Sequence, residues 1–123
     1  MILVDTSVWI DHLGRGDARL QALLEEGEVL SHPLVVAEIA LGSLSQRRIT
    51  LQALQALPQA PLARHDEVMD FLHSQKLFGI GIGYVDLHLL ASTRLADGAR
   101  LWTRDKRLLA AATKLALAAQ VAH

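Results

Sequence analysis

Three short apolar runs of strand type, Ile2-Leu3-Val4, Val29-Leu30-Ser31 and Leu101-Trp102-Thr103, are kept far apart by stretches with helical periodicity. Strands that alternate with helices are joined by right-handed crossovers, which lay the strands parallel and cover both faces of the sheet with helices. The expected fold class is therefore α/β: a three-layer α/β/α sandwich with a central parallel sheet. Such folds bind ligands beyond the carboxyl ends of their strands, so residues just after each strand are the first to inspect for chemistry.

Punctuation along the chain supports this order. Asp5-Thr6-Ser7 ends the first run with oxygens able to cap a helix carrying Val8, Trp9 and Ile10. Asp17 reads as the N-cap of a helix whose stripe is Leu20, Leu23 and Leu24 and which ends near Gly27. Pro33 suits the first turn of a third helix. Further helices are expected over Ser45 to Leu57, stopped by Pro58, and over Asp66 to Leu77 after an extended piece near Leu62. The segment Gly79-Ile80-Gly81-Ile82-Gly83 breaks the periodicity before a long helix from Tyr84 to Asp97, with Gly98 as its C-terminal cap. Lys106 to about Leu117 reads as the last helix, and Gln120-Val121-Ala122 as a last strand.

A length of 123 residues fits one domain spanning 1–123. Its 51% hydrophobic content exceeds what a small monomer needs inside, so an oligomer or an obligate partner is expected. The absence of cysteine removes disulfides, thiolate nucleophiles and thiolate zinc sites, and accords with a cytoplasmic location. Met1-Ile2-Leu3-Val4 is cut short by Asp5 without a basic leader, so it does not read as a secretory signal, and no apolar run approaches membrane-spanning length. With 12 Lys and Arg against 13 Asp and Glu, overall charge gives no argument for a polyanionic ligand. Any nucleic-acid contact must be local, and the cluster Arg104, Lys106, Arg107 is the patch to consider. Arg47-Arg48 reads better as a solvated helix face.

Four acids fall where this fold delivers residues to one edge of the sheet: Asp5, Glu38, Asp86 and Asp105. Asp5 directly follows a strand, and serves equally as a helix cap or a ligand. Glu38 lies in a helix that is nearly all apolar; Leu34, Glu38 and Leu41 share a stripe, which sets its carboxylate on or beside the core-facing surface. Asp86 sits in the first turn after the glycine segment, where the helix dipole favours an acid, on a side shared with Leu89, Leu90 and Thr93. Asp105 follows the strand Leu101-Thr103 and is as well suited to capping as to catalysis. Gathered together, four carboxylates need protons or a divalent cation to offset their repulsion. Hard oxygen ligands without a Cys or His set point to Mg²⁺, with Mn²⁺ as a substitute.

Rival signals are weaker. Tyr84 stands where a dinucleotide fingerprint needs its third glycine. No two of the six histidines form a His-x-x-x-His pair, and His88 is turned about 200° from Asp86 on a helix, so a solvated or capping histidine is the better reading. Ser7 and Ser31 lack a nucleophile-elbow setting, and Trp9 and Trp102 read as core.

Taken in order, these segments resemble the PIN-domain nucleases, and more narrowly the VapC toxins of bacterial toxin-antitoxin pairs. Val4 to Ile10 resembles the first family motif, Ala37-Glu38-Ile39 within Pro33 to Gly42 the second, Gly81 to Ala91 the third and Leu101 to Leu108 the fourth. Leu108 departs from an aromatic that many relatives carry, a matter of packing rather than chemistry. The resemblance implies Mg²⁺-dependent endoribonuclease activity, with Asp5, Glu38, Asp86 and Asp105 catalytic and Asp5 and Asp86 the firmest metal ligands. It implies a VapB-like antitoxin partner, an RNA substrate such as transfer RNA, and a homodimer. Thr6, Ser7 or Thr103 is expected to orient a carboxylate or bond a phosphate. Two other classes compete: a non-catalytic binding module of this fold, and a phosphotransfer or receiver-type domain, against which Ser7 stands because a dehalogenase-type Asp-x-Asp needs an acid there.

Overall fold

The middle strand of the sheet is β1 (Ile2–Val4), flanked by β2 (Val29–Leu30) on one side and β3 (Arg100–Trp102) on the other, all parallel. This computed structural model describes residues 1–121. Leu3 pairs in register with Leu30 and Leu101, and these three apolar side chains lie in the core. Seven helices complete the described chain: α1 (Thr6–Arg15) and α2 (Ala18–Glu25) between β1 and β2, then α3 (Pro33–Ala40), α4 (Arg47–Ala56), α5 (His65–Ser74) and α6 (Tyr84–Leu95) before β3, and α7 (Lys106–Lys114) after it. Helices α1, α3 and α4 pack in series, and α5 packs on α6.

Both outer edges of the sheet gain one further parallel bridge. Ser31 pairs with Gln59 beside β2, and Leu101 pairs with Ala118 beside β3. Hydrogen bonds from Leu101 N–H to the Leu117 carbonyl (2.7 Å) and from Ala119 N–H to the Leu101 carbonyl (2.8 Å) define the second edge. The sequence placed a last strand at Gln120-Val121-Ala122; the pairing occurs earlier, at Ala118, and Ala122 lies outside the described residues.

The main departure from periodicity is at helix ends. Helices α5 and α7 stop two or three residues before their apolar patterns do, because Lys76 (φ 54°) and Ala116 (φ 58°) turn left-handed. Each opens a paired closure: Leu77 N–H bonds the Leu72 carbonyl at 3.0 Å, and Leu117 N–H bonds the Ala112 carbonyl at 2.8 Å. The same closure ends α2 through Gly27 (φ 69°), as its glycine foretold. At Lys76 and Ala116 a non-glycine residue accepts the strain because the following leucine, Leu77 or Leu117, is thereby buried.

Candidate active site

Strand order decides where chemistry can gather. The connection after β1 runs toward β2, whereas the chain after β3 returns on the opposite flank at Ala118, so the crevice between the ends of β1 and β3 is the topological switch point. Asp5 closes β1 there: its N–H bonds the Trp102 carbonyl at 2.9 Å, which carries the parallel ladder one residue past the strand.

The Asp5 side chain is buried and does not cap α1. Its Oδ2 instead accepts two hydroxyl hydrogen bonds, from Ser7 Oγ and from Thr103 Oγ1, each 2.7 Å. Ser7 Oγ accepts the Arg104 N–H at 3.0 Å, and Thr103 Oγ1 accepts the Asp105 N–H at 3.1 Å. Two backbone amides thus fix two hydroxyls, which fix one carboxylate oxygen. Among the described residues the other oxygen, Oδ1, has no hydrogen-bond partner, so it is available to a ligand.

The other acids approach from separate elements. Glu38 on α3 accepts a hydrogen bond from Thr6 Oγ1 (2.6 Å), the residue next to Asp5. Glu38 is exposed, which corrects the expectation that its stripe faces the core: α3 buries Val35, Val36 and Ile39, and leaves Leu41 87% exposed. Asp86 reaches back from the first turn of α6 to accept the Gly83 N–H at 3.1 Å. Asp105 caps α7, its Oδ1 accepting the Leu108 N–H at 2.9 Å. Capping and site placement are therefore compatible for Asp86 and Asp105, because each cap bond occupies one oxygen of two.

Electrostatics tie the four together. Burial pushes the Asp86 carboxyl above the ordinary carboxylate range; the Gly83 N–H opposes that shift, and the charges of Asp5, Asp105 and Glu38 add to it. Among the described residues none of these four acids joins an ion pair. An all-oxygen donor set, mutually repelling and without an ion-pair partner among the described residues, fits a divalent ion of the Mg²⁺ or Mn²⁺ type. Among the described residues no three His, Asp or Glu side chains already enclose one point as ligands do, so the acids share a field rather than a finished cage.

The basic cluster divides. Arg104, expected to guide phosphates, turns away and pairs with Asp11 on α1 and Asp17 at the start of α2, clamping the β3–α7 junction to the α1–α2 loop. Asp17 also caps α2 through the Leu20 N–H (2.9 Å), the bond that most lowers its carboxyl pKa. Arg107 is exposed and lies against Gly81.

Among the described residues no histidine joins the acid cluster, yet two are more deeply placed than the sequence indicated. His32 is fully buried as the N-cap of α3, its Nδ1 accepting the Leu34 N–H at 3.0 Å, which leaves Nε2–H to donate to Ser92 Oγ at 2.9 Å. Burial, with a small contribution from His88, lowers its pKa to about 4. His88 is buried rather than solvated, because the face of α6 opposite Asp86 packs inward toward His32. The one local signal for His32 was its position just before Pro33; its partner Ser92 is 60 residues away and left none.

A parallel α/β fold with this acid cluster at its switch point is that of the PIN domain, whose family model matches residues 2–114; the chain belongs to that family. Within it the chain is VapC-like. It is 54% identical over 123 residues to Ribonuclease VapC32 of Mycobacterium tuberculosis, in strains CDC 1551 / Oshkosh and ATCC 25618 / H37Rv, an alignment covering 98% of this chain and 99% of the relative.

Proposed function

We propose that this chain is the toxin of a VapBC-type pair, an endoribonuclease that hydrolyses RNA phosphodiesters with Mg²⁺, and that the domain spans 1–123. The observation that supports it most directly is the coupling at the switch point of Asp86 to Asp5, Asp105 and Glu38, none of which joins an ion pair among the described residues. VapC ribonucleases of this family are generally dependent on a divalent metal. Asp5 and Asp86 would hold the ion, with Glu38 and Asp105 beside it. Bound there, it supplies a more acidic water and offsets charge on the reacting phosphate.

The chain's own contribution is orientation. Ser7 and Thr103 hold Asp5 Oδ2 and leave Oδ1 without a hydrogen-bond partner among the described residues, and Thr6 holds Glu38. No histidine is required as base, since His32 and His88 are buried on the far side of α6 from Asp86. Attack of water on phosphorus with departure of the 3′ oxygen leaves 5′-phosphate and 3′-hydroxyl ends, whereas 2′,3′-cyclic phosphate ends contradict this reading.

An antitoxin of VapB type is the partner this class carries, and exposed Ile10, Leu41 and Ile49 offer apolar surface for one. A homodimer, a cytoplasmic site of action and a transfer RNA substrate complete the proposal. Among the described residues no helix is long and apolar enough to cross a membrane. The deciding experiment incubates purified protein with RNA in Mg²⁺ and in EDTA, alongside Asp5→Asn and Asp86→Asn. Cutting lost in EDTA and in both variants supports the assignment; wild-type cutting by either variant removes it.

A further inference from the structure

We infer that Arg107, laid across Gly81, is a preformed seat for an RNA phosphate next to the one that is cleaved. The inference rests on the nuclease reading above and adds how the substrate is held.

Three observations carry it. Arg107 leaves the first turn of α7, two residues after Asp105, and crosses to the loop that feeds α6 and Asp86, so it bridges the two elements bearing those acids. The absence of a side chain at Gly81 makes room for it. A Cβ on Gly81 would stand 2.6 Å from Arg107 Nη1 and 2.8 Å from Cδ, and Gly81 has φ +82°. Gly16, Gly27, Gly79 and Gly98 also have positive φ, yet a Cβ on any of them would meet nothing within 4 Å. Among these, Gly81 alone leaves open the space that the Arg107 side chain occupies. Lastly, Arg107 forms no ion pair among the described residues, in contrast to Arg104, whose charge is spent on Asp11 and Asp17.

An exposed guanidinium lying along the loop surface has free donors, and its planar fork suits phosphate oxygens. Substrate RNA brings phosphates on both sides of the scissile one, and the acids that repel them need a cation at the rim. A phosphate contact positions the strand without reading its bases. The competing role is a counter-ion for the carboxylates, and the two separate by measurement.

Binding of a fluorescein-labelled single-stranded RNA oligonucleotide is followed by anisotropy over a range of KCl at constant Mg²⁺, in an Asp5→Asn background so that RNA stays whole. Arg107→Gln is expected to weaken binding about tenfold at low salt, and to make log Kd against log salt shallower by about 0.7, equally for oligonucleotides of different sequence. Arg107→Lys is expected to keep the slope. Gly81→Ala, which displaces the arginine while retaining its charge, should weaken binding in the same direction. Mn²⁺ affinity without RNA should be unchanged by Arg107→Gln. An unchanged salt slope, a loss that depends on base sequence, or tighter Mn²⁺ binding without RNA overturns the inference. Circular dichroism confirms that each variant is folded, and Arg107 is exposed, so its substitution leaves the core intact. Should Asp5→Asn still cut RNA, the acid assignment fails, and the salt titration is repeated in EDTA, where a metal-dependent cut stops, so that the slope still reports on Arg107.

Discussion

Thr103→Val tests whether the buried hydroxyl pair organises Asp5. Thr103 is 2% exposed, and its Oγ1 both donates to Asp5 Oδ2 at 2.7 Å and accepts the Asp105 N–H at 3.1 Å. Valine nearly keeps the shape and removes both bonds. A hydrogen bond to a charged acceptor contributes roughly 1.5–3 kcal/mol and a neutral one about 1 kcal/mol, so the expected cost is about 2–4 kcal/mol. Thr103→Ser keeps the hydroxyl and loses one buried methyl, a cost of about 1 kcal/mol. In an Asp5→Asn background the acceptor is neutral, so Thr103→Val should cost less, and the double-mutant cycle should show coupling of about 1–2 kcal/mol. Urea denaturation of the four proteins of the cycle, together with Thr103→Ser, at one pH supplies all the values, provided the m-values agree. Mn²⁺ affinity of Thr103→Val should also fall about 10–100-fold, the usual effect of freeing a metal ligand's outer partner. Equal stabilities for the Val and Ser variants, or coupling below about 0.5 kcal/mol, would refute the clamp.

Three further expectations concern stability. Asp86 is harder to ionise in the fold than in the unfolded chain, so its ionisation destabilises the protein as pH rises through the folded-state pKa. Asp86→Asn should therefore unfold later than the parent in EDTA at pH 7, with the gain shrinking toward pH 4; a loss of stability at pH 7 counts against the shared field. His32 has the opposite sign: its pKa is about 4 folded against 6.5 unfolded, so the unfolded chain takes the proton first and stability falls on acidification through that window. The loss approaches about 3 kcal/mol, and His32→Asn should flatten the pH dependence of urea midpoints between pH 6.5 and 4. Ala116→Gly should raise the thermal midpoint, since relief of a left-handed alanine, about 1–2 kcal/mol, exceeds the entropy cost of glycine, about 0.5–1 kcal/mol.

Much of this molecule was legible before any coordinates. Asp17 and Asp105 cap their helices as their positions before apolar stripes implied, and Pro33 opens α3. Such signals act within a turn of chain, where geometry follows from residue type. Asp5, Asp86 and Asp105 lie at a strand end or a helix start, where local signals mark a residue, whereas Glu38 lies within α3 and was singled out by the apolar helix around it.

What the chain alone did not disclose involves partners distant along it. The Arg104 bonds to Asp11 and Asp17 span 93 and 87 residues, and the Thr103 bond to Asp5 spans 98. Periodicity cannot tell Arg104 from Arg107, yet folding spends one on an ion pair and lays the other on Gly81. It likewise could not say that Glu38 faces out, since a short apolar helix has more than one face able to enter a core, and packing chose Val35, Val36 and Ile39. The order of elements and the chemical types at the site were thus local properties of the sequence. Which oxygen of Asp5 is held depended on sheet order, because the parallel pairing of β1 with β3 brings Thr103 within bonding distance, and which face of α3 is buried depended on its packing against α1 and α4.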